Sequence, residues 1–365
     1  MTPMLPQVDP IPAAAPPLVF WLLLMLTFTL HVVAMNAVLG GSIVGAAARW
    51  IGANGHPHHA RLARLIGAAM PVAIATAVTL GVAALLFLQV LYGRAFFPSS
   101  ILMARAWLAV VPLLIFAYYA AYWLSSGDGN RAACVSVAVA AIFSAIAFIM
   151  SNNMGLMLRV GELPGLFAAD ARGVYLNSTD PAMMPRYLHM LLGAIATAGL
   201  MVAIVGVLMR RDQLFSGWAI RWGAVWFAGA TALNVPLGIW WLGVLPADVV
   251  TALIGGDVMA TTVLAAGTAI LLAALGLIFV AAHSSRPAPW VYGSAAALFA
   301  GIVLMLLTRD FVRQQALDAA GFAPPTLVAP QWSLIVIFLV LLVVAIATVG
   351  WMARKLSVGS RPSVP

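Results

Sequence analysis

Histidine is the residue type best placed to do chemistry in this chain, and two of the six histidines fall inside long apolar runs. His31 lies in LLMLTFTLHVVAMNAVLGG, and His189 lies about one turn into MMPRYLHMLLGAIATAGL. An ionisable side chain within a membrane span is expensive and marks function by default. A buried imidazole there has two uses. It can hydrogen-bond a neighbouring helix, or it can ligate haem iron, for which imidazole is a usual axial ligand in helical bundles. Both readings stand for both residues. His56, His58 and His59 cluster in GANGHPHHARLAR, which reads as a metal-binding group or as a solvated interfacial loop. His283 falls at a helix end and reads as interfacial. Other chemistries lack their residues. No pair of carboxylates lies in the apolar runs to relay protons, and HExxH, CxxC, GxSxG and Walker sequences are absent. Glu162, the single glutamate, sits in a polar stretch, so a hydrolase has no acid–base pair. Cys134 is the lone cysteine and forms no intrachain disulfide; it reads as an inert small residue.

The elements that hold these residues follow from composition. Of 365 residues, 64% are hydrophobic and 8% are charged, and mean hydropathy is +1.06. A soluble domain carries roughly 25% charged residues, so the solvent here is a bilayer. The net charge of +8 does not signal nucleic acid, because the basic residues sit singly at the ends of apolar runs. A helical span needs about 20 apolar residues. Nine segments qualify, at about 18–48, 65–92, 102–124, 132–154, 186–209, 219–243, 258–282, 289–308 and 332–353. The first has no Lys or Arg before it and is too long for a signal h-region, so it reads as a retained helix. The expected fold is an all-α polytopic bundle forming one transmembrane domain over residues 1–365. The stretches 155–185 and 309–331 read as its longest extramembrane loops.

Charge sets the expected orientation. With the N-terminus outside, the cytoplasmic ends hold Arg49, Arg61, Arg64, Arg131, Arg210, Arg211, Arg221, Arg286, Arg354, Lys355 and Arg361 against Asp128 and Asp212. The outer ends hold seven Arg and eight acids: Asp9, Glu162, Asp170, Asp180, Asp248, Asp257, Asp310 and Asp318. The expectation is N-out/C-in, in a bacterial inner membrane. Trp218, Trp222, Trp226, Trp240 and Trp241 suit interfacial belts at both ends of the sixth span.

The order of these segments resembles subunit I of the cytochrome bd-type quinol oxidases. LTFTLHVVAMNAVLGGSIVGAAARW is similar to the family's first helix with its haem-ligating His, here His31. FSAIAFIMSNNMGLML resembles the Ser-containing fourth helix and the turn that closes it. LNSTDPAMMPRYLHMLLGAIATAG is similar to the stretch carrying a basic residue and, three positions on, a low-spin haem ligand, here Arg186 and His189. GGDVMATTVLAAGTAILL resembles the helix of the Met ligand, which makes it Met259. LMLLTRDFVRQQAL places Asp310 where the family has a Glu ligand of a high-spin haem, and Arg313 and Gln314 keep its Arg-Gln. The resemblance covers nearly the whole chain and implies one to three haems b. A His189/Met259 pair would be a low-spin, electron-transferring ligation, with Arg186 placed to pair a propionate bidentately. The alternative for Met259 is a core filler, and for Asp310 a surface ion pair with its flanking arginines.

The departures point away from oxygen reduction. The family's long outer loop, tied to quinol oxidation, is cut to GVLPADVVTALIGG. The third helix, ILMARAWLAVVPLLIFAYYAAYW, has none of the family's acids, and Asp257 stands where an Arg precedes the Met ligand. The implied function is a haem b subunit of a respiratory electron-transfer complex, linking the quinone pool to an outer-face partner such as a c-type cytochrome or an iron–sulfur protein. The alternatives are a divergent terminal quinol oxidase, and a haem-free structural subunit or transporter on the same fold.

Overall fold

The computed structural model describes residues 12–169, 172–322 and 327–359, with side chains undescribed at 349, 353 and 355–359. Asp9, Asp170 and Arg361, counted above among the end charges, lie outside the described residues. The chain is all-α and multi-pass. Among the described residues nine helices are long and apolar enough to cross a membrane. These are α1 (Pro17–Ala53), α2 (Pro57–Leu102), α3 (Ala104–Leu124), α4 (Gly129–Leu156), α6 (Met183–Leu208), α7 (Gln213–Gly243), α9 (Val258–His283), α10 (Ala288–Ala319) and α11 (Trp332–Gly359). Two short helices, α5 (Leu163–Ala169) and α8 (Ala247–Thr251), lie between spans. The end of the bundle where α1 begins is the near end here, and the opposite one the far end.

The packing forms two groups of four helices, α1–α4 and α6, α7, α9 and α10, joined where α1 and α4 meet α6. Between lipid-coated helices the drive to associate is close packing, which small residues permit. A Cβ on Gly199 of α6 would lie 2.5 Å from the main-chain nitrogen of Phe227, and one on Gly223 of α7 would lie 2.5 Å from the Gly199 carbonyl. These glycines let the α6 and α7 backbones touch. The LGAIATAG run therefore serves helix packing. Asn36 of α1 donates to Thr197 Oγ1 of α6 at 3.2 Å, both buried. The last span is different: none of the most apolar stretch of α11 is buried. It is tied at the near end by main-chain bonds from Ala13 to Leu327 and from Ala329 to Ala13, each 2.8 Å.

Several helices outrun the apolar lengths read from sequence. α2 starts at Pro57, where a proline suits the first helical position, so His58 and His59 are helical and not in a loop. Their rings pack on Trp218 and Trp222 of α7, at centroid distances of 5.5 Å for His58–Trp218 and 5.4 Å for His59–Trp222. No group of three or more His, Cys, Asp or Glu places itself to hold a metal ion among the described residues. α2 also continues through a kink at Tyr92 (φ −127°, ψ 22°) to Leu102. The 309–331 stretch is not all loop: α10 runs on to Ala319, because Val312 and Leu317 continue its buried face. Within 155–185 the chain forms a short turn at Val160–Glu162 and then α5.

Candidate functional site

His31 projects from α1 onto α2. Its Nδ1 lies 2.9 Å from the carbonyl oxygen of Ala77, one turn before Gly81. The carbonyl only accepts, so Nδ1 carries the proton and Nε2 is left with a free lone pair. Gly81 makes the fit: a Cβ there would lie 2.7 Å from His31 Cε1. The sequence offers Gly81 only as one helical glycine among several, and its role appears when α1 and α2 pack. A carbonyl that fixes the tautomer and leaves the other nitrogen free is the usual outer partner of a metal-bound histidine. Phe28, one turn nearer the α1 start, stacks on the imidazole with centroids 6.2 Å apart.

His189 projects from α6 onto α7. A Cβ on Gly238 of α7 would lie 3.5 Å from His189 Cε1, and one on Gly193 of α6 would lie 3.8 Å from Asn234 Nδ2. Each helix thus gives a small residue to receive the other's polar side chain. His189 Nδ1 faces the main-chain carbonyl of Asn234 without closing a full hydrogen bond, and Asn234 Oδ1 is buried without a partner. Orphaned buried polar atoms are rare, and each calls for a missing partner. Because α1 faces α2 at His31 while α6 faces α7 at His189, the two imidazoles belong to different helix pairs. Counting 1.5 Å per residue from the Gly40–Ala194 contact, both rings lie roughly 8–14 Å toward the near end.

Above these rings, at the near end, sits a cluster of buried charge. Asp310 is 7% exposed and Arg313 4%, so this is a buried ion pair and not the surface pair considered from sequence. Asp310 Oδ2 accepts from Trp21 Nε1 at 2.7 Å, and Oδ1 pairs with Arg313. The Arg313 guanidinium lies 4.6 Å from the Tyr92 ring centroid, and Gln314 Nε2 donates to Tyr92 Oη at 2.5 Å. The kink at Tyr92 therefore turns a ring toward α10. Both Asp310 oxygens are engaged within the protein. Arg186, one turn nearer than His189, pairs with Asp180 at 4.0 Å, while its Nη1 has no hydrogen-bond partner. Met259 is elsewhere: it is 77% exposed in the first turn of α9, a helix that packs chiefly on α10 and α7. Asp257 caps that helix by accepting from Ala260 N–H at 2.8 Å.

The loop between α5 and α6 closes this end. Asn152, Asn153 and Asn177 are fully buried. Asn152 Oδ1 accepts from Asn177 N–H at 2.6 Å, and Asn177 Nδ2 donates to Asp180 Oδ2 at 3.0 Å. Arg159 donates to Asn177 Oδ1 at 2.5 Å and to Glu162 Oε1 at 2.9 Å. The Arg159 hydrogen bond holds the Glu162 carboxyl below its ordinary range. A cavity of about 330 Å³ opens here, reached by Arg159, Asp180, Arg186, Asp248 and Gln315. The sequence pointed to Arg186, Asp310 and the two histidines. It did not point to Trp21, Tyr92, Asn177 or Arg309, whose contacts join residues far apart in the chain.

No known family's sequence model matches the chain, and no curated protein matches it by sequence. Its fold does match. The chain is similar to the solved structure of bd oxidase from Geobacillus thermodenitrificans, with a TM-score of 0.72 and 15% sequence identity, over 96% of this chain and 100% of that one. At that identity the likeness is one of fold.

Proposed function

We propose that this chain is a haem b-binding membrane subunit of a respiratory electron-transfer complex, passing electrons between the quinone pool and a redox partner at the near end. The observation that carries the reading is the state of His31. Its Nδ1 proton is held by Ala77, its Nε2 lone pair is free, and a glycine notch shapes its pocket, all on a bd oxidase-like fold. His189, set against Gly238 with its Nδ1 toward the Asn234 carbonyl, supports a second ligand position. The donor set fits haem: imidazoles between packed helices for iron, guanidinium groups toward one end for carboxylates. When bound, haem supplies a one-electron iron centre. The protein's own residues orient the imidazoles, exclude water and hold the carboxylate end. Met259 and Asp310 stand outside this proposal, the first because of its exposure and the second because Trp21 and Arg313 occupy its oxygens. The excess of Arg and Lys at the far end supports placing that end in the cytoplasm of a bacterial cell and the near end outside.

The test is a reduced-minus-oxidised visible spectrum of the purified protein, with a pyridine haemochrome assay and carbon monoxide added last. Low-spin haem b with no carbon monoxide shift is expected, and His189→Ala should remove part of it while His31→Ala removes another part. A carbon monoxide-reactive high-spin species would instead mark a divergent terminal quinol oxidase. A colourless protein would leave a structural subunit or transporter.

A further inference from the structure

The buried charge at the near end does not balance. Three guanidinium groups, Arg186, Arg309 and Arg313, face two carboxylates. Asp180 is spent on Arg186 and Asp310 on Arg313. Arg309 is left over. Half-buried on α10, it makes no ion pair or hydrogen bond with an acid among the described residues, and the like charges of Arg186 and Arg313 bear on it. Its guanidinium carbon lies 4.9 Å from the Phe28 ring centroid. A ring face attracts a cation but does not neutralise it, and an uncompensated cation among like charges within a bundle is unfavourable. Two further N–H groups nearby, Arg186 Nη1 and Arg313 Nε, are buried without acceptors. Excess positive charge and spare donors together define an anion site.

Its position selects the anion. The Phe28 ring meets both groups: Arg309 lies over it and His31 stacks on it. Whatever occupies the His31 pocket therefore ends beside Arg309. We infer that Arg309 binds a carboxylate of the haem held by His31, and that its charge raises the reduction potential of that haem. The inference rests on the haem reading above. A cation at the edge of the haem disfavours the ferric form, which carries the extra positive charge, and so favours reduction. The same cation keeps the carboxylate ionised. A cavity lined by Arg186 opens at the same end of the bundle.

The experiment is a potentiometric titration of the purified full chain at pH 6 and pH 8, with haem stoichiometry, for wild type, Arg309→Leu and Arg309→Lys. In Arg309→Leu the haem should stay bound through His31 while its affinity for the electron falls about tenfold, which is 59 mV for one electron. The potential should also become pH-dependent, because the carboxylate has lost its cation. Arg309→Lys keeps the charge and should hold a potential near wild type, with weaker haem retention because the bidentate fork is gone. Haem loss from a variant that melts like wild type also supports the contact. A haem-bearing wild type whose variants share its potential, pH dependence and haem content overturns the inference. A wild type without haem overturns the haem reading itself, and this inference falls with it.

Discussion

The notch at Gly81 makes a prediction that needs no haem. A Cβ on Gly81 would lie 2.7 Å from Cε1 and 2.8 Å from Nδ1 of His31, well inside van der Waals contact. In Gly81→Ala the imidazole must move, giving up the Ala77 carbonyl, or the helices must part. Overpacking of this kind costs about 1–3 kcal/mol. Against that, alanine improves a helix interior over glycine by about 1 kcal/mol. The single substitution should therefore destabilise by about 0–2 kcal/mol net of both effects. In a His31→Ala background the clash is gone, so the same change should stabilise by about 1 kcal/mol. The coupling between the two sites is then about 1–3 kcal/mol, read from a double-mutant cycle. The assay is unfolding of the detergent-purified protein for the four variants, followed by helical circular dichroism. Equal effects of Gly81→Ala in both backgrounds would falsify the placement of His31 against α2. In haem-loaded protein, Gly81→Ala should also shift the His31-dependent part of the spectrum.

Three further outcomes are expected. Arg49 is 5% exposed at the far end and donates to the carbonyls of Leu124 at 3.1 Å and Ala63 at 3.3 Å, tying α1 to the ends of α2 and α3; Arg49→Met should cost at least the roughly 1.5–3 kcal/mol of one charged hydrogen bond, seen as a lower unfolding midpoint. Trp21→Phe removes the N–H held by Asp310 Oδ2 while keeping the ring; it should destabilise by roughly 1.5–3 kcal/mol, and an unchanged midpoint in denaturant would count against the buried pair. Glu162 has a folded-state pKa below its unfolded value because Arg159 hydrogen-bonds it, so its latch contributes above the unfolded pKa of about 4.3 and is lost as pH falls through the lower folded value; amide exchange at Arg159–Glu162 should quicken only in that acidic window, and equal quickening in Glu162→Gln would locate the cause elsewhere.

Apolar length and low charge made the architecture legible in the sequence: nine spans stand among the described residues, in an all-α chain with 8% charge. Helix ends were less legible, because α2 and α10 extend past their apolar runs where tertiary burial continues them. Met259 shows the limit of motif order. A methionine at the expected position is one local fact; whether it meets His189 depends on how α9 is rotated, and here it faces outward. Arg309 shows the converse. In sequence it is one of three charges in TRDFVR and reads as the flank of an ion pair. Packing gives Asp310 to Arg313 and Trp21, which leaves Arg309 over Phe28 with no acid of its own among the described residues. The bundle brings together a ligand-ready histidine, an aromatic ring that touches it and a guanidinium with no acid among the described residues, the parts that a long flat ligand with a metal at one end and an acid at the other would use. That ordering, more than any single motif, is what supports the proposal of a haem with its carboxylate on Arg309.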